Sequence, residues 1–316
     1  MTRRSYRHDI EGLAIPSPVL KWVGGKWVVA EQMERLLPKA ETLSEYREPY
    51  FGGGGMFFRF FADVRPAILS DINWRLIDAY IALRDHVEEL IDALAEEQTK
   101  YSPARYYEIR ARLNLERQDR PRVLTLIERA VGVFVISKWG YNGVWRERRD
   151  GGINTPVGSP EKDGSGRRLF DPSHLRVTSA ALQGAELYAR RAAETIAGVR
   201  RGGLVYLDPP FAATFTGYSA EGFSYGPPTK AKPGILSDGS QLAEDLRKIH
   251  DAGAFFAVSN SDSAIARKTF RAWPSRKVTA ARSVTCKASE RTAVTELVFR
   301  NYRRTRAGVM EIYPAV

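Results

Sequence analysis

A single cysteine, Cys286, stands among 316 residues, which excludes an internal disulfide and any cluster of thiolate metal ligands. The four histidines, His8, His86, His174 and His250, are scattered without ligand spacing, so no metal is expected to take part. Long apolar runs are missing as well. Stretches such as FFAV at 255–258 are far too short to cross a membrane. The basic start MTRRSYRHDIEGL leads into no apolar core, and the expectation is a cytoplasmic chain without a secretion signal. There is no internal repeat, no low-complexity tract and no phosphate loop of the form GxxxxGK[ST]; GGKW at 24–27 lacks both the spacing and the hydroxyl. Negative charge is in short supply. The net charge is +11 and the sequence pI about 9.7, which points towards a polyanionic partner.

The excess positive charge is not spread evenly. Lys100 to Arg201 holds 20 Lys and Arg against 11 Asp and Glu, the clustering that phosphate neutralisation requires. Around that stretch the chain reads as α/β. KWVVAEQMERLL at 26–37 has the spacing of an amphipathic helix closed by Pro38. YREPYFGGGG reads as a strand running into a glycine turn, MFFRFFA as a buried helix behind it, and RPAILSDIN as a second strand ending at Asp71. Helices are expected over 74–98, 103–118 and 121–138, then loops to about 170. Strands resume at 203–207, 254–258 and 294–299, with a helix at 240–251. The expected organisation is a discontinuous α/β domain, 1–74 and 201–316, split by a basic, mostly helical insertion at 75–200.

In a doubly wound sheet ligands bind at the carboxyl ends of strands, and this chain places distinctive residues there. FGGGG at 51–55 permits a tight turn and close backbone approach to a ligand, although a glycine-rich surface loop has the same composition. Asp71 follows the glycines at about the distance of a ribose-binding acid, and an N-cap role is the plainer alternative. LVYLDPPF at 204–211 ends an apolar run on Asp208, two prolines and an aromatic.

Taken in order, LKWVGGK (20–26), EPYFGGGGMFF (48–58), LSDIN (69–73), WGYNGVWR (139–146) with INTPVG (153–158), DPPF (208–211), FTGYSAEGF (215–223) and SNSD (259–262) resemble the Dam-like DNA adenine methyltransferases. The likeness spans nearly the whole chain. It implies a Rossmann-like S-adenosylmethionine-dependent methyltransferase sheet with an inserted DNA-recognition domain. It also implies a cofactor pocket made by Trp22, Lys26, Glu48, Pro49, Phe51, Gly52, Gly53, Gly54, Asp71 and Asp208, with Asp71 on the ribose hydroxyls. Catalysis would fall to Asp208, Pro209, Pro210 and Phe211. DNA contacts would come from Lys21, Tyr141, Asn142 and Arg146. Arg148 and Arg149 lie outside the shared motif as phosphate-contact candidates, as do Arg282 and Arg291 in the hairpin region RSVTCKASERTAVTELVF, where Cys286 is a bystander.

The chemistry agrees with those assignments. The exocyclic amine of adenine is a poor nucleophile, and a carboxylate with a backbone carbonyl can accept both of its hydrogens. Prolines fix that carbonyl in advance. The base must leave the duplex to reach such a pocket, and an aromatic gives it a stacking face. Here the chain carries Phe211 where Asp-Pro-Pro-Tyr is commoner, so the ring is kept and the hydroxyl lost. Cytosine N4, RNA or a protein amide are alternative acceptors, and a catalytically idle DNA-binding module is the alternative of another class. The expected setting is a monomer acting on double-stranded DNA in a bacterial, archaeal or phage context, with a cognate restriction endonuclease as an open question. The proline- and glycine-rich stretch 224–239 reads either as a mobile loop beside the site or as a linker.

Overall fold

The computed structural model describes residues 16–22, 24–116, 122–148, 150–209, 240–281, 293–305 and 310–314. The expectations for Arg149, Pro210, Phe211, Arg282, Cys286, Arg291 and the stretch 224–239 lie outside the described residues.

Seven strands form one sheet: β1 (Tyr46–Glu48), β2 (Ala67–Asp71), β3 (Ala185–Ala189), β4 (Leu204–Leu207), β5 (Phe255–Ser261), β6 (Ser275–Ala281) and β7 (Ala293–Arg300). Their order is β3-β2-β1-β4-β5-β7-β6, parallel from β3 through β5, with β7 antiparallel to both β5 and β6. The chain builds outwards from β1 in one direction to β2 and β3, then returns to β4 on the other side. That reversal opens a crevice beyond the carboxyl ends of β1 and β4, where a ligand can lie. The order and the mostly parallel pairing are those of the expected Rossmann-like sheet. β4 is buried along its whole length, as a parallel strand covered on both faces must be. A second, two-stranded sheet pairs β8 (Tyr302–Arg304) with β9 (Met310–Ile312).

Local chemistry sets the helices. The expected helix over 74–98 is two, α2 (Trp74–Asp85) and α3 (Val87–Gln98), because His86 between them leaves the helical region at φ −139° and ψ 44°. Asn73 caps α2 with its side-chain oxygen. α4 (Pro103–Leu115) starts on a Ser102 cap with Pro103 in its first turn. α5 (Leu126–Trp139) starts later than expected, at a capping box in which Thr125 and Glu128 satisfy each other's backbone N–H groups. Behind the glycine turn, Phe57–Phe61 winds as a π-helical turn, which buries Phe57 and Phe61 against Tyr46; the Tyr46 and Phe61 rings stack with centroids 4.4 Å apart. Lys26–Val29 is a 3-10 turn leading into the short α1 (Ala30–Glu34), where one amphipathic helix was expected.

The insertion boundary needs correction. β3 lies inside the 75–200 span and yet pairs along β2 from Ala67 with Ala185 to Asp71 with Ala189, so the sheet draws on residues before 200. AELYA is a short edge strand with a half-exposed pattern, too brief for its alternation to stand out. α6 (Pro172–Leu182), before it, packs on α2 and α3, and α7 (Ala192–Ile196), after it, packs on β2. No helix among the described residues is long and apolar enough to cross a membrane.

Candidate active site

Three carboxylates reach one cavity from three strands. Glu48 closes β1, Asp71 closes β2, and Asp208 follows the last residue of β4; all three line the cavity with Trp22, Lys26 and the glycine turn. The sheet's register is what gathers them, since β1 pairs with both β2 and β4.

At the turn, Gly52 has φ +48°, a left-handed conformation that disfavours any side chain. A Cβ there would lie 2.9 Å from Cδ1 of Trp22. The turn therefore admits the indole of Trp22 against the backbone. Asp71 is held by two backbone donors: Gly52 N–H gives to Oδ2 at 3.0 Å and Asn73 N–H to Oδ1 at 2.9 Å. Burial still outweighs these bonds and raises the Asp71 carboxyl to about 6. The ligand role and the turn-stabilising role of this aspartate are thus compatible, while the helix cap itself falls to Asn73.

Glu48 is 3% exposed and accepts a 2.7 Å hydrogen bond from the Tyr46 hydroxyl. Burial pushes its carboxyl up to about 8, with the Asp208 and Asp71 charges adding to the rise against the Tyr46 bond. Asp208 differs from the other two because it has a cation. Lys26 Nζ lies 2.7 Å from each Asp208 oxygen and also donates to the Gly24 carbonyl at 2.8 Å. Burial raises the Asp208 carboxyl and Lys26 opposes that rise. For Lys26, burial acts downward, but Asp208 and Glu296 outweigh it and hold the ammonium above its ordinary value.

The expected cofactor residues Pro49, Phe51, Gly53 and Gly54 all line the same cavity, and so does Pro209. Sequence reasoning missed others. Arg190 and Arg191, between β3 and α7, enter the lining, and Arg190 sits 4.0 Å over the Tyr188 ring. Their signal was absent because β3 itself was not foreseen. Glu296, in the middle of β7, lies 3.6 Å from Lys26 Nζ. An acid inside the apolar run VTELVF was a legible signal for it.

The DNA-contact candidates gather at a hairpin after α5. Tyr141–Gly143 forms a 3-10 turn in which Asn142 takes φ 56° and Gly143 φ 62°. Isolated bridges join Gly140 to Val157 and Glu147 to Ile153. Lys21 packs here: its backbone N–H donates to the Ser137 hydroxyl at 2.8 Å, and a Cβ on Gly143 would run into its Cδ. Tyr141 is 42% exposed. Arg146 is exposed and anchored through its backbone N–H to Thr155 Oγ1 at 3.0 Å. Arg148 is exposed but engaged, 3.2 Å from Asp150. Trp145 joins hairpin and cavity, its ring 5.9 Å from that of Trp22.

Comparison with known proteins agrees with this arrangement. The model of the family described as D12 class N6 adenine-specific DNA methyltransferase matches residues 22–282. A type II methyltransferase, M1.LlaDCHI of Lactococcus lactis subsp. cremoris, is 27% identical over 90% of this chain and 95% of its own length. The type II methyltransferase M.MjaIII of Methanocaldococcus jannaschii is 28% identical over 90% of this chain and 99% of its own. A DNA adenine methylase of Salmonella typhi is 30% identical over 88% of this chain and 93% of its own.

Proposed function

Because the chain belongs to the D12 class of N6 adenine-specific DNA methyltransferases, we propose that Asp208 is the acceptor for the adenine amine and that the cavity beside it binds the methyl donor. The enzyme methylates adenine in DNA with S-adenosylmethionine as donor. The observation that carries the residue assignment is the convergence of Glu48, Asp71 and Asp208 on one cavity with Lys26 as the cation on Asp208.

The residues present fit S-adenosylmethionine. Lys26 is bonded to Asp208, so Asp71 and Glu48 are the remaining acids of the cavity, and a ligand that carries a sulfonium and an ammonium would draw the raised Glu48 carboxyl towards its charged form. The Gly52 turn gives the room that a side chain would take, and Trp22 supplies an apolar wall. When bound, the donor supplies a methyl group activated on sulfur. Asp71 would hold the ribose hydroxyls, and Phe51, Gly53 and Gly54 would shape the wall around them.

Asp208 and the Pro209 carbonyl accept the two hydrogens of the amine, which localises the nitrogen lone pair. Their work is alignment and electrostatics, the terms that preorganised groups supply without moving during reaction. The target adenine swings out of double-stranded DNA to reach them. Lys21, Tyr141, Asn142 and Arg146 hold the duplex over the cavity, with Arg146 reading a base edge and Arg148 reaching a phosphate once released from Asp150. The helical span between α2 and β3 serves as the target-recognition region. A monomer suffices, since one cavity and one hairpin make a complete site. A cognate restriction endonuclease is the natural partner of such a mark, and the cytoplasm its setting.

Sequencing modified bases in DNA from a methylation-deficient host expressing the chain tests this reading. The wild type should place N6-methyladenine at one recurrent short motif, and Asp208→Ala should leave none while DNA binding persists. Full modification by Asp208→Ala would remove Asp208 from the mechanism.

A further inference from the structure

Glu296 occupies the middle of an otherwise apolar β7 and is 7% exposed. It pairs in register with Ser261 of β5 and Val278 of β6, well inside the sheet. Its Oε2 makes no hydrogen bond among the described residues and lies 3.6 Å from Lys26 Nζ. That same ammonium sits 2.7 Å from both oxygens of Asp208. Lys26 thus bridges two carboxylates from different strands, one tightly and one loosely.

Charge counting gives this arrangement a consequence. Lys26 and Asp208 alone are a neutral pair, and a neutral pair is a poor acceptor for an amine that gains positive charge as its nitrogen bonds to carbon. With Glu296 ionised the trio carries one net negative charge; burial raises the Glu296 carboxyl and Lys26 opposes that rise. Burial makes that charge matter, because electrostatic energies grow as water is excluded. We propose that Glu296 is a positioning residue for methyl transfer, sharing the ammonium of Lys26 so that Asp208 keeps its strength as an acceptor. This rests on the reading of Asp208 given above.

The other ionisable groups around the trio come from β1 and β4. Glu48 and the Tyr206 hydroxyl both interact with Asp208, and the Tyr206 hydroxyl is joined to Ser259 Oγ at 2.8 Å. Glu48 and Tyr206 both stay in place when Glu296 is substituted; the Tyr206 hydroxyl loses the Glu296 charge as one cause of its rise, and Asp208 loses it as a neighbour of Lys26.

The test compares Glu296→Gln, which keeps the shape and removes the charge, with Glu296→Asp. Single-turnover transfer of labelled methyl to DNA from a methylation-deficient host should slow by about 10- to 100-fold in Glu296→Gln, less than the roughly 100- to 1,000-fold of a donor that touches the reacting atoms, because Glu296 acts through Lys26. Affinity for S-adenosylmethionine and the melting temperature should stay near wild type. The Asp208 carboxyl resonance, assigned by its loss in Asp208→Asn, should titrate at lower pH, because a negative neighbour has gone while Lys26 remains. Glu296→Asp should fall between the two in both rate and titration. If Glu296→Gln proves too unstable to assay, the aspartate variant decides alone. A wild-type rate, or an unmoved Asp208 titration, overturns the proposal. Full activity in Asp208→Ala would instead overturn the underlying reading.

Discussion

The cavity and the hairpin meet where Trp22 approaches Trp145, yet they hold their charges in opposite ways. In the cavity the cation and its carboxylate partner are 4% and 17% exposed, locked at 2.7 Å. At the hairpin the backbone is fixed and the arginine heads are exposed: the Arg146 N–H donates to Thr155 and its carbonyl accepts from Asn154. Burial makes protonation state and net charge the quantities that matter, since an unpaired buried charge is costly. Exposure leaves side chains screened and free to meet an incoming partner. One region suits chemistry that must not vary, the other recognition that depends on what arrives.

Substitutions can break that contrast. The largest effect should come from Gly52→Ala, which adds left-handed strain and drives Trp22 away from a 2.9 Å approach. Calorimetric affinity for S-adenosylmethionine should drop by about 100-fold, or roughly 3 kcal/mol. Gly24→Ala sharpens the comparison: Gly24 also has positive φ, but nothing lies within 4 Å of its Cβ position, so only the backbone cost applies. Equal losses in the two variants would mean that Trp22 does not shape the pocket.

Next comes Arg146→Ala, which should leave cofactor affinity unchanged and cost roughly 1–3 kcal/mol of discrimination at one base pair. Competition between the target duplex and single-substituted duplexes measures it. Unchanged sequence preference would demote the hairpin to a general phosphate contact.

The smallest effect is on stability. Glu48 has its carboxyl raised from 4.5 to about 8 by burial, so the folded chain binds that proton more tightly than the unfolded one. Stability should therefore be full at low pH and decline as pH rises through the window up to about 8. Asp71, raised to about 6, has largely finished its part of that decline by pH 6. Between pH 6 and 8 the ligand-free protein should lose about 2 kcal/mol through Glu48, seen as a melting temperature lower by a few degrees. Glu48→Gln should flatten the decline. An equally steep profile in that variant would place the titration elsewhere.

Much of the site was legible because its parts sit at strand ends in recognisable local order. FGGGG, SDIN and LDPP each announce a turn or a terminal carboxylate, and all three reach the same cavity. The helical stretch was legible in outline, but its boundaries depended on caps and on the break at His86. β3 was not legible, since a five-residue edge strand gives little alternation to read. The association of Lys21 with the Asn142–Gly143 turn was hidden as well, because a basic residue beside a tryptophan carries no sign of what packs on it.

The sequence by itself determined the kinds of group available: a glycine turn, acids at the ends of β1 and β2 and just beyond β4, a basic helical span and an arginine-bearing hairpin. These follow from local composition and order. Only the tertiary structure decided which charges answer one another. Lys26 comes from near the start of the chain, Asp208 from beyond β4 and Glu296 from near the end, and they meet because parallel β4 and antiparallel β7 flank β5 in one sheet. Coulomb energy depends on distance and burial, and neither can be read along the chain.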